Sequence, residues 1–323
     1  MRPATIAGPV SLASLVLLLA CEPGSHPVAP RLQAMSFANS EWSAPVNLGP
    51  VVNSSSNEQN AVLARDGLSL YFSSNRLGSS GPLDIWVSQR ACTDGDDPAC
   101  AWQAPMNLGA PINSAGADFA PDLSRDGHLL FFASNRAGSA TDIFVSHRAD
   151  PNDDFGWEDP VPLGPGVNTA AGEQAPMYLE NAEDGSANLY FNRGALAQNL
   201  ADIYVASVAR DGETLGPAQL VVELSDPNAN DAAITIRADG REAMFWSGRA
   251  GGLGQNDLWV STRQSLHDPW SPPVNAGTTL NSTFDDVTPS LSTDGRILIF
   301  GSNRPGGLGG NDLYMSTRTP SGH

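Results

Sequence analysis

The sequence contains no lysine, and only 16% of its 323 residues are charged. The absence of lysine excludes Schiff-base chemistry and any phosphate-binding loop that ends in Gly-Lys-Ser or Gly-Lys-Thr. The 17 basic residues, all arginine, stand against 35 acidic ones, which gives a formal net charge of −18. Nucleic acids and anionic membrane surfaces both attract basic patches, so this charge balance argues against either as a partner.

Common catalytic motifs are also missing. The five histidines form no metal-binding pair at helical spacing, and no Gly-x-Ser-x-Gly turn occurs. Two of the three cysteines, Cys92 and Cys100, flank a short polar loop and predict a disulfide in an oxidising compartment. A metal site is the weaker alternative there, because the loop has no histidine or second cysteine pair. The sequence therefore predicts no catalytic residues.

The N-terminal apolar run from Val10 to Ala20 is too short to span a bilayer, which takes about 20 helical residues. It follows the single positive charge of Arg2, as the apolar region of a signal peptide does. Its end, Leu18-Leu19-Ala20-Cys21, resembles the lipobox of bacterial lipoproteins. This resemblance implies a signal peptide over residues 1–20 and lipidation of Cys21. An ordinary secretory signal is the alternative.

Residues 21–41 contain three prolines and no periodic pattern, so they predict the lipidated cysteine followed by a flexible tether. Glu22 follows the cysteine, which by resemblance to enteric lipoproteins favours the outer membrane. The expected location is the cell envelope, with the protein anchored by lipid and facing the periplasm or the cell exterior.

The rest of the sequence is dominated by a repeat that occurs five times. Each copy has an Asp-Gly turn, an apolar run, an arginine in a polar loop, and an aspartate that opens a second apolar run. The turn aspartates are Asp66, Asp126, Asp184, Asp239 and Asp294, the loop arginines are Arg76, Arg136, Arg193, Arg249 and Arg304, and the later aspartates are Asp84, Asp142, Asp202, Asp257 and Asp312.

These copies predict the blades of a β-propeller. Asp-Gly between two extended runs favours a tight hairpin, and a four-stranded unit of this length cannot bury both faces until neighbours pack against it. No fourth strand follows the fifth copy, but the segment Trp42–Leu48 resembles Trp102–Leu108 at the end of the first. We therefore predict an all-β, five-bladed propeller of four-stranded antiparallel blades over residues 42–323. An N-terminal strand closes the ring in the last blade.

The segments Ser124-Arg125-Asp126-Gly127, Ser292-Thr293-Asp294-Gly295 and Phe300-Gly301-Ser302-Asn303-Arg304 resemble the WD-repeat-like propeller repeat of the TolB type. The resemblance covers residues 42–318 and implies a cell-envelope propeller. The sequence departs from TolB in having five blades rather than six and no preceding α/β domain, so TolB's partners are not implied.

One acidic residue lies near the start of each predicted inner strand, at the mouth of the expected channel. These residues are Glu58, Asp118, Glu173, Asp231 and Asp286. A ring of five carboxylates could bind calcium or a basic side chain of a partner. The alternative is that each carboxylate binds backbone N–H groups of its own blade.

Arg76 and Asp84, with their counterparts, predict a structural pair across a loop, and binding of anionic sugars is the alternative.

Five uniform blades without a catalytic set predict a non-catalytic scaffold rather than an enzyme. Its expected partners are envelope proteins or polysaccharide, it is expected to be a monomer, and its lipid anchor is its expected membrane contact. No cofactor is predicted, with calcium as the one candidate. The alternative function is a carbohydrate-active hydrolase or lyase that uses carboxylates at the channel mouth, because a glycosidase needs two carboxylates at a defined separation.

Overall fold

The computed structural model describes Met1 and residues 41–319, apart from residues 96, 139, 182–184 and 199. Cys21 and most of the predicted signal peptide and tether therefore lie outside the described residues, as does the turn aspartate Asp184. Within the described part of the chain, no helix has the length and apolar character needed to cross a membrane.

Twenty β-strands form five antiparallel sheets of four strands each, which confirms the predicted architecture. The strands are β1 Val46–Asn47; β2 Glu58–Leu63, β3 Ser69–Ser74, β4 Asp84–Gln89 and β5 Met106–Asn107; β6 Asp118–Leu123, β7 Leu129–Ser134, β8 Asp142–His147 and β9 Val161–Pro162; β10 Glu173–Glu180, β11 Ala187–Arg193, β12 Asp202–Val208 and β13 Gln219–Leu220; β14 Asp231–Ile236, β15 Glu242–Ser247, β16 Asp257–Thr262 and β17 Val274–Asn275; β18 Asp286–Leu291, β19 Ile297–Ser302 and β20 Asp312–Thr317. One short α-helix, α1 Gly49–Val52, and two 3₁₀ turns, Pro98–Cys100 and Leu196–Gln198, complete the described elements.

The five sheets are arranged in a closed ring. The first strands of the blades, β2, β6, β10, β14 and β18, contact one another in that cyclic order, and β18 contacts β2 again. The fifth blade is completed by β1, whose Val46 and Asn47 pair with Met315 and Tyr314 of β20. Ring closure by the N-terminal strand is thus confirmed, and the fifth blade has four strands like the other four.

Each blade is built by the local signals of its repeat. In the Asp-Gly turns that the structure describes completely, glycine has a φ near +70°, a region that glycine occupies without steric cost. The turn aspartate also accepts the backbone N–H two residues later, as Asp126 does from His128 at 3.1 Å. The second and third strands carry apolar residues on both faces because neighbouring blades cover both. Fully buried members include Phe72, Phe131, Phe132, Phe191, Phe245 and Phe300.

A bulge interrupts the inner strand of every blade at its third residue. These residues, Asn60, Ala120, Ala175, Ala233 and Thr288, all have a φ between 49° and 53° although none is glycine. The strand register shifts at the same place in each blade. A bulge redirects side chains, and here it brings the small side chains of Ala120, Ala175 and Ala233 together at the ring axis.

The third blade lacks one contact that the other four share. In those four blades an arginine after the third strand lies 4.1–4.4 Å from the ring centre of a tryptophan. The pairs are Arg90–Trp102, Arg148–Trp157, Arg263–Trp270 and Arg318–Trp42. Val208 occupies the arginine position in the third blade, so this cation–π contact is absent there.

Candidate functional site

The inner strands surround a channel that has three levels. We define the wide entrance by Gln59, Phe119, Gln174, Asn192, Trp246 and Asp285, the waist by Asn60, Ala120, Ala175, Ala233 and Thr288, and the narrow end by Val62, Asp122, Met177, Thr235 and Ser290. The cavity volumes at these levels are about 260, 40 and 90 Å³ respectively. The bulged residues therefore constrict the channel between two wider ends.

The five predicted ring carboxylates lie inside the blades rather than on the channel surface. The side chains of Glu58, Asp118, Glu173, Asp231 and Asp286 are all 0% exposed. Each forms an ion pair with the loop arginine of its own blade, namely Arg76, Arg136, Arg193, Arg249 and Arg304 in the same order. This geometry agrees with the structural alternative stated above.

The second blade illustrates this arrangement. Asp118 accepts hydrogen bonds from the backbone N–H of Ser114 at 2.6 Å, from the Ser134 hydroxyl at 2.5 Å and from Arg136 at 2.6 Å. The Arg136 guanidinium also lies 5.1 and 5.2 Å from the ring centres of Phe132 and Phe144. A buried ion pair is stable when hydrogen bonds satisfy its remaining polar atoms, and here the blade provides them.

The predicted pairing of the loop arginine with the later aspartate is wrong. Arg76 binds Glu58 and the carbonyl of Val52, whereas Asp84 accepts the backbone N–H groups of Ser80 and Gly81. Asp257 and Asp312 bind loop N–H groups in the same way. The later aspartate therefore shapes the loop, and the arginine neutralises the inner-strand acid.

The calcium hypothesis finds no site at these carboxylates, because each is already bound by an arginine and by hydroxyl or N–H groups. Among the described residues, one cluster has ligand types suited to a metal: Cys92, Asp97 and Cys100. The two cysteines form a disulfide with a Cα–Cα distance of 4.6 Å, so their sulfur atoms are already bonded. This cluster consequently does not fit a metal ion.

The residues that do face the wide entrance were missed by the sequence analysis. The side chains that directly follow the five buried acids differ between blades: Gln59, Phe119, Gln174, Ala232 and Val287. Trp246 and Asn192 reach the same space from second strands. The sequence does show this variation: the position carries four residue types in five copies, so no single residue type is needed there to build the blade.

Two carboxyl groups of the channel have no arginine partner among the described residues. Asp285, at the wide entrance, is half-buried and accepts hydrogen bonds from the side-chain amides of Asn256 at 2.9 Å and Asn303 at 3.1 Å. Asp122, at the narrow end, accepts the backbone N–H of Tyr178 at 2.6 Å. Burial raises the pKa of Asp122 to about 7, in spite of the hydrogen bonds it accepts.

Neither a protein-family model nor a curated protein matches the sequence. Solved structures do match. An α-L-arabinofuranosidase from Lactobacillus brevis aligns with a TM-score of 0.56 and 14% identity over 84% of this chain and 92% of its own. The arabinanase of Bacillus subtilis has the same TM-score and identity, over 84% of this chain and 96% of its own.

TolB from Acinetobacter baumannii aligns with a TM-score of 0.47 and 15% identity, over 81% of this chain and 54% of its own. That similarity is too low to argue from. The sheet topology shows the β-propeller fold, whereas the finer TolB-type resemblance stays a prediction.

These comparisons correct the expectation of a non-catalytic scaffold, and with it the expectation that the protein is not an enzyme. Several of the similar structures are named as enzymes: arabinofuranosidases, an arabinanase and an exo-β-1,3-galactanase. The expectation relied on the uniformity of the blades. That uniformity belongs to the buried ion pairs, whereas the residues at the wide entrance vary between blades.

Proposed function

We propose that the protein is a carbohydrate-active hydrolase whose substrate binds at the wide entrance of the channel. The observation that carries this proposal is the lining of that entrance. The amides of Gln59 and Gln174 can donate to and accept from sugar hydroxyl groups, and the rings of Phe119 and Trp246 offer apolar surface for the C–H faces of a sugar. One carboxylate, Asp285, lies among them.

The similar structures support the same class of reaction. Their names refer to enzymes that act on arabinose- or galactose-containing carbohydrates. At 13–14% identity they share the fold alone, so arabinose-containing glycans are the first substrates to test rather than an assigned specificity.

Glycoside hydrolysis needs one carboxyl group as an acid and one carboxylate as a base or nucleophile. We assign the second role to Asp285, which a substrate at the wide entrance would contact. Asp122 lies beyond the waist, so it cannot take the first role, because the acid must reach the glycosidic oxygen directly or through one water. The described lining of the wide entrance contains no second carboxyl group.

Hydrolysis by the purified protein tests this proposal. Suitable substrates are 4-nitrophenyl α-L-arabinofuranoside and arabinan. We expect measurable hydrolysis, and a fall in kcat of about 100-fold or more for Asp285→Asn, the usual range for loss of an acid or base.

The exposed Asp159 lies outside the channel, so Asp159→Asn is the matched control and should leave kcat unchanged. Folded wild-type protein that cleaves neither substrate would contradict the proposal. Full activity in Asp285→Asn would remove the assigned site.

A further inference from the structure

The side-chain amide of Asn192 has an unused hydrogen-bond donor at the wide entrance. Asn192 is 1% exposed and lines the cavity. Its Oδ1 accepts the backbone N–H of Ala233 in the next blade at 3.4 Å. Its Nδ2 has no acceptor among the described residues. A buried amide group without an acceptor is uncommon in native proteins, because it has given up its hydrogen bond to water, so a ligand oxygen is the natural partner.

The fold does not need this donor. At the same register of the other second strands the chain has Ser73, Ala133, Trp246 and Gly301. In the first blade the Ser73 hydroxyl accepts the backbone N–H of Ala120 at 2.9 Å, so serine is sufficient for the contact between blades. The amide nitrogen of Asn192 is therefore an addition specific to the third blade.

The size of the wide entrance limits what can meet this donor. Its volume of about 260 Å³ is below the range of roughly 300–1,000 Å³ that is usual for drug-sized ligands. The waist beneath it holds about 40 Å³, which admits water but no sugar ring. A carbohydrate chain consequently cannot pass through the channel, and one sugar unit at a chain end fits the space above the waist.

We propose that the wide entrance binds a single neutral sugar at the end of a glycan, and that Asn192 Nδ2 donates a hydrogen bond to one of its oxygen atoms. Asn192 is then a specificity-determining residue. This inference rests on the proposed function and extends it, because it makes the enzyme one that releases monosaccharides from chain ends rather than one that cuts within chains.

Calorimetric titration of L-arabinose, D-galactose and D-xylose tests the binding step independently of hydrolysis. We expect wild-type protein to bind at least one of these sugars, and Asn192→Ser to bind it roughly 3- to 10-fold more weakly, the effect of one lost neutral hydrogen bond. Asn192→Asp keeps an acceptor for Ala233 and replaces the donor, so it serves as a second variant if Asn192→Ser is unstable. Asn188→Ser, on the same strand but away from the cavity, is the matched control and should bind as wild type does.

The outcomes separate the two proposals. Glycan hydrolysis with equal sugar affinity and kcat/KM in wild type and Asn192→Ser would overturn the inference and leave the proposed function intact. Sugar binding that depends on Asn192, without cleavage of any glycan, would support the role of Asn192 in binding and overturn the proposed function. The inference would also be overturned if the wild-type protein bound none of the three sugars. Release of oligosaccharides rather than monosaccharide from arabinan would overturn it as well.

Discussion

The carboxyl group of Asp122 has a pKa near neutral pH. An aspartate in an unfolded chain has a pKa of about 3.9, whereas burial raises the pKa of Asp122 to about 7. The folded state therefore binds the proton more tightly than the unfolded state between these values. Because stability decreases with pH wherever the folded state holds more protons, Asp122 lowers the free energy of unfolding as the pH rises from about 4 to 7, with no further loss above.

Asp122→Asn should remove this contribution, since the amide oxygen can still accept the Tyr178 N–H. We expect the variant to gain stability relative to wild type as the pH rises from 4.5 to 8, by about 1–2 kcal/mol, a figure reduced because the side chain is partly exposed. Urea unfolding at several pH values measures the difference. A difference between Asp122→Asn and wild type that stays constant with pH would contradict the raised pKa of Asp122.

The ion pairs show which residue-scale contacts a sequence can and cannot reveal. Arg76 stands eight positions before Asp84 and eighteen after Glu58, so proximity in the sequence favoured the wrong partner. Strand pairing decides the outcome, because Ser74 of β3 lies between Glu58 of β2 and Asp84 of β4. The arginine turns towards Glu58, where the Val52 carbonyl also accepts from it. This choice depends on how the strands pair within the blade, which distance along the sequence does not show.

At the scale of elements, the blades could be predicted because their signals are local. Asp-Gly turns and apolar runs recur in every copy, and each acts within a few residues of itself. The closing strand could be predicted as well, because Trp42–Leu48 repeats the pattern of Trp102–Leu108. The bulges could not be predicted, since the same φ occurs at asparagine, alanine and threonine, and is imposed by the packing of five strands at one axis.

Truncation tests the importance of the closing strand. Removal of residues 22–49 deletes β1, its pairing with β20 and the stacking of Trp42 on Arg318, and leaves an open edge in the fifth blade. We expect a fall in melting temperature of about 10 °C or more, which corresponds to several kcal/mol in a protein of this size. Removal of residues 22–38 retains every described contact of the fifth blade and is the control. Equal melting temperatures for the two truncations would contradict this role.

At the scale of the whole molecule, the repeated residues and the variable residues have different roles. The repeated acids and arginines build five nearly equal blades and are buried, whereas the wide entrance is lined by residues that differ between blades. The uniformity of the blades is therefore a property of the framework and not of the entrance. The framework could be predicted because repetition is visible in the sequence, whereas the residues of the entrance meet only after five blades have closed the ring.

The blades should also differ in local stability, because one of them lacks a contact that the others share. The third blade lacks the arginine–tryptophan contact of the other four, and its outer strand β13, two residues long like theirs, has no such contact beside it. Local unfolding begins where few buried contacts hold an element, so amides of β12 and β13 should exchange hydrogen faster than those of β16 and β17 in the fourth blade.

Hydrogen exchange followed by mass spectrometry measures this difference peptide by peptide. Arg263→Ala removes the corresponding contact with Trp270 from the fourth blade and should raise the exchange of β17 towards that of β13. Equal protection of the two blades in the wild-type protein would show that the cation–π contact is not what holds the outer strands. In that case the short pairing between third and fourth strands, which every blade has, would have to be sufficient by itself.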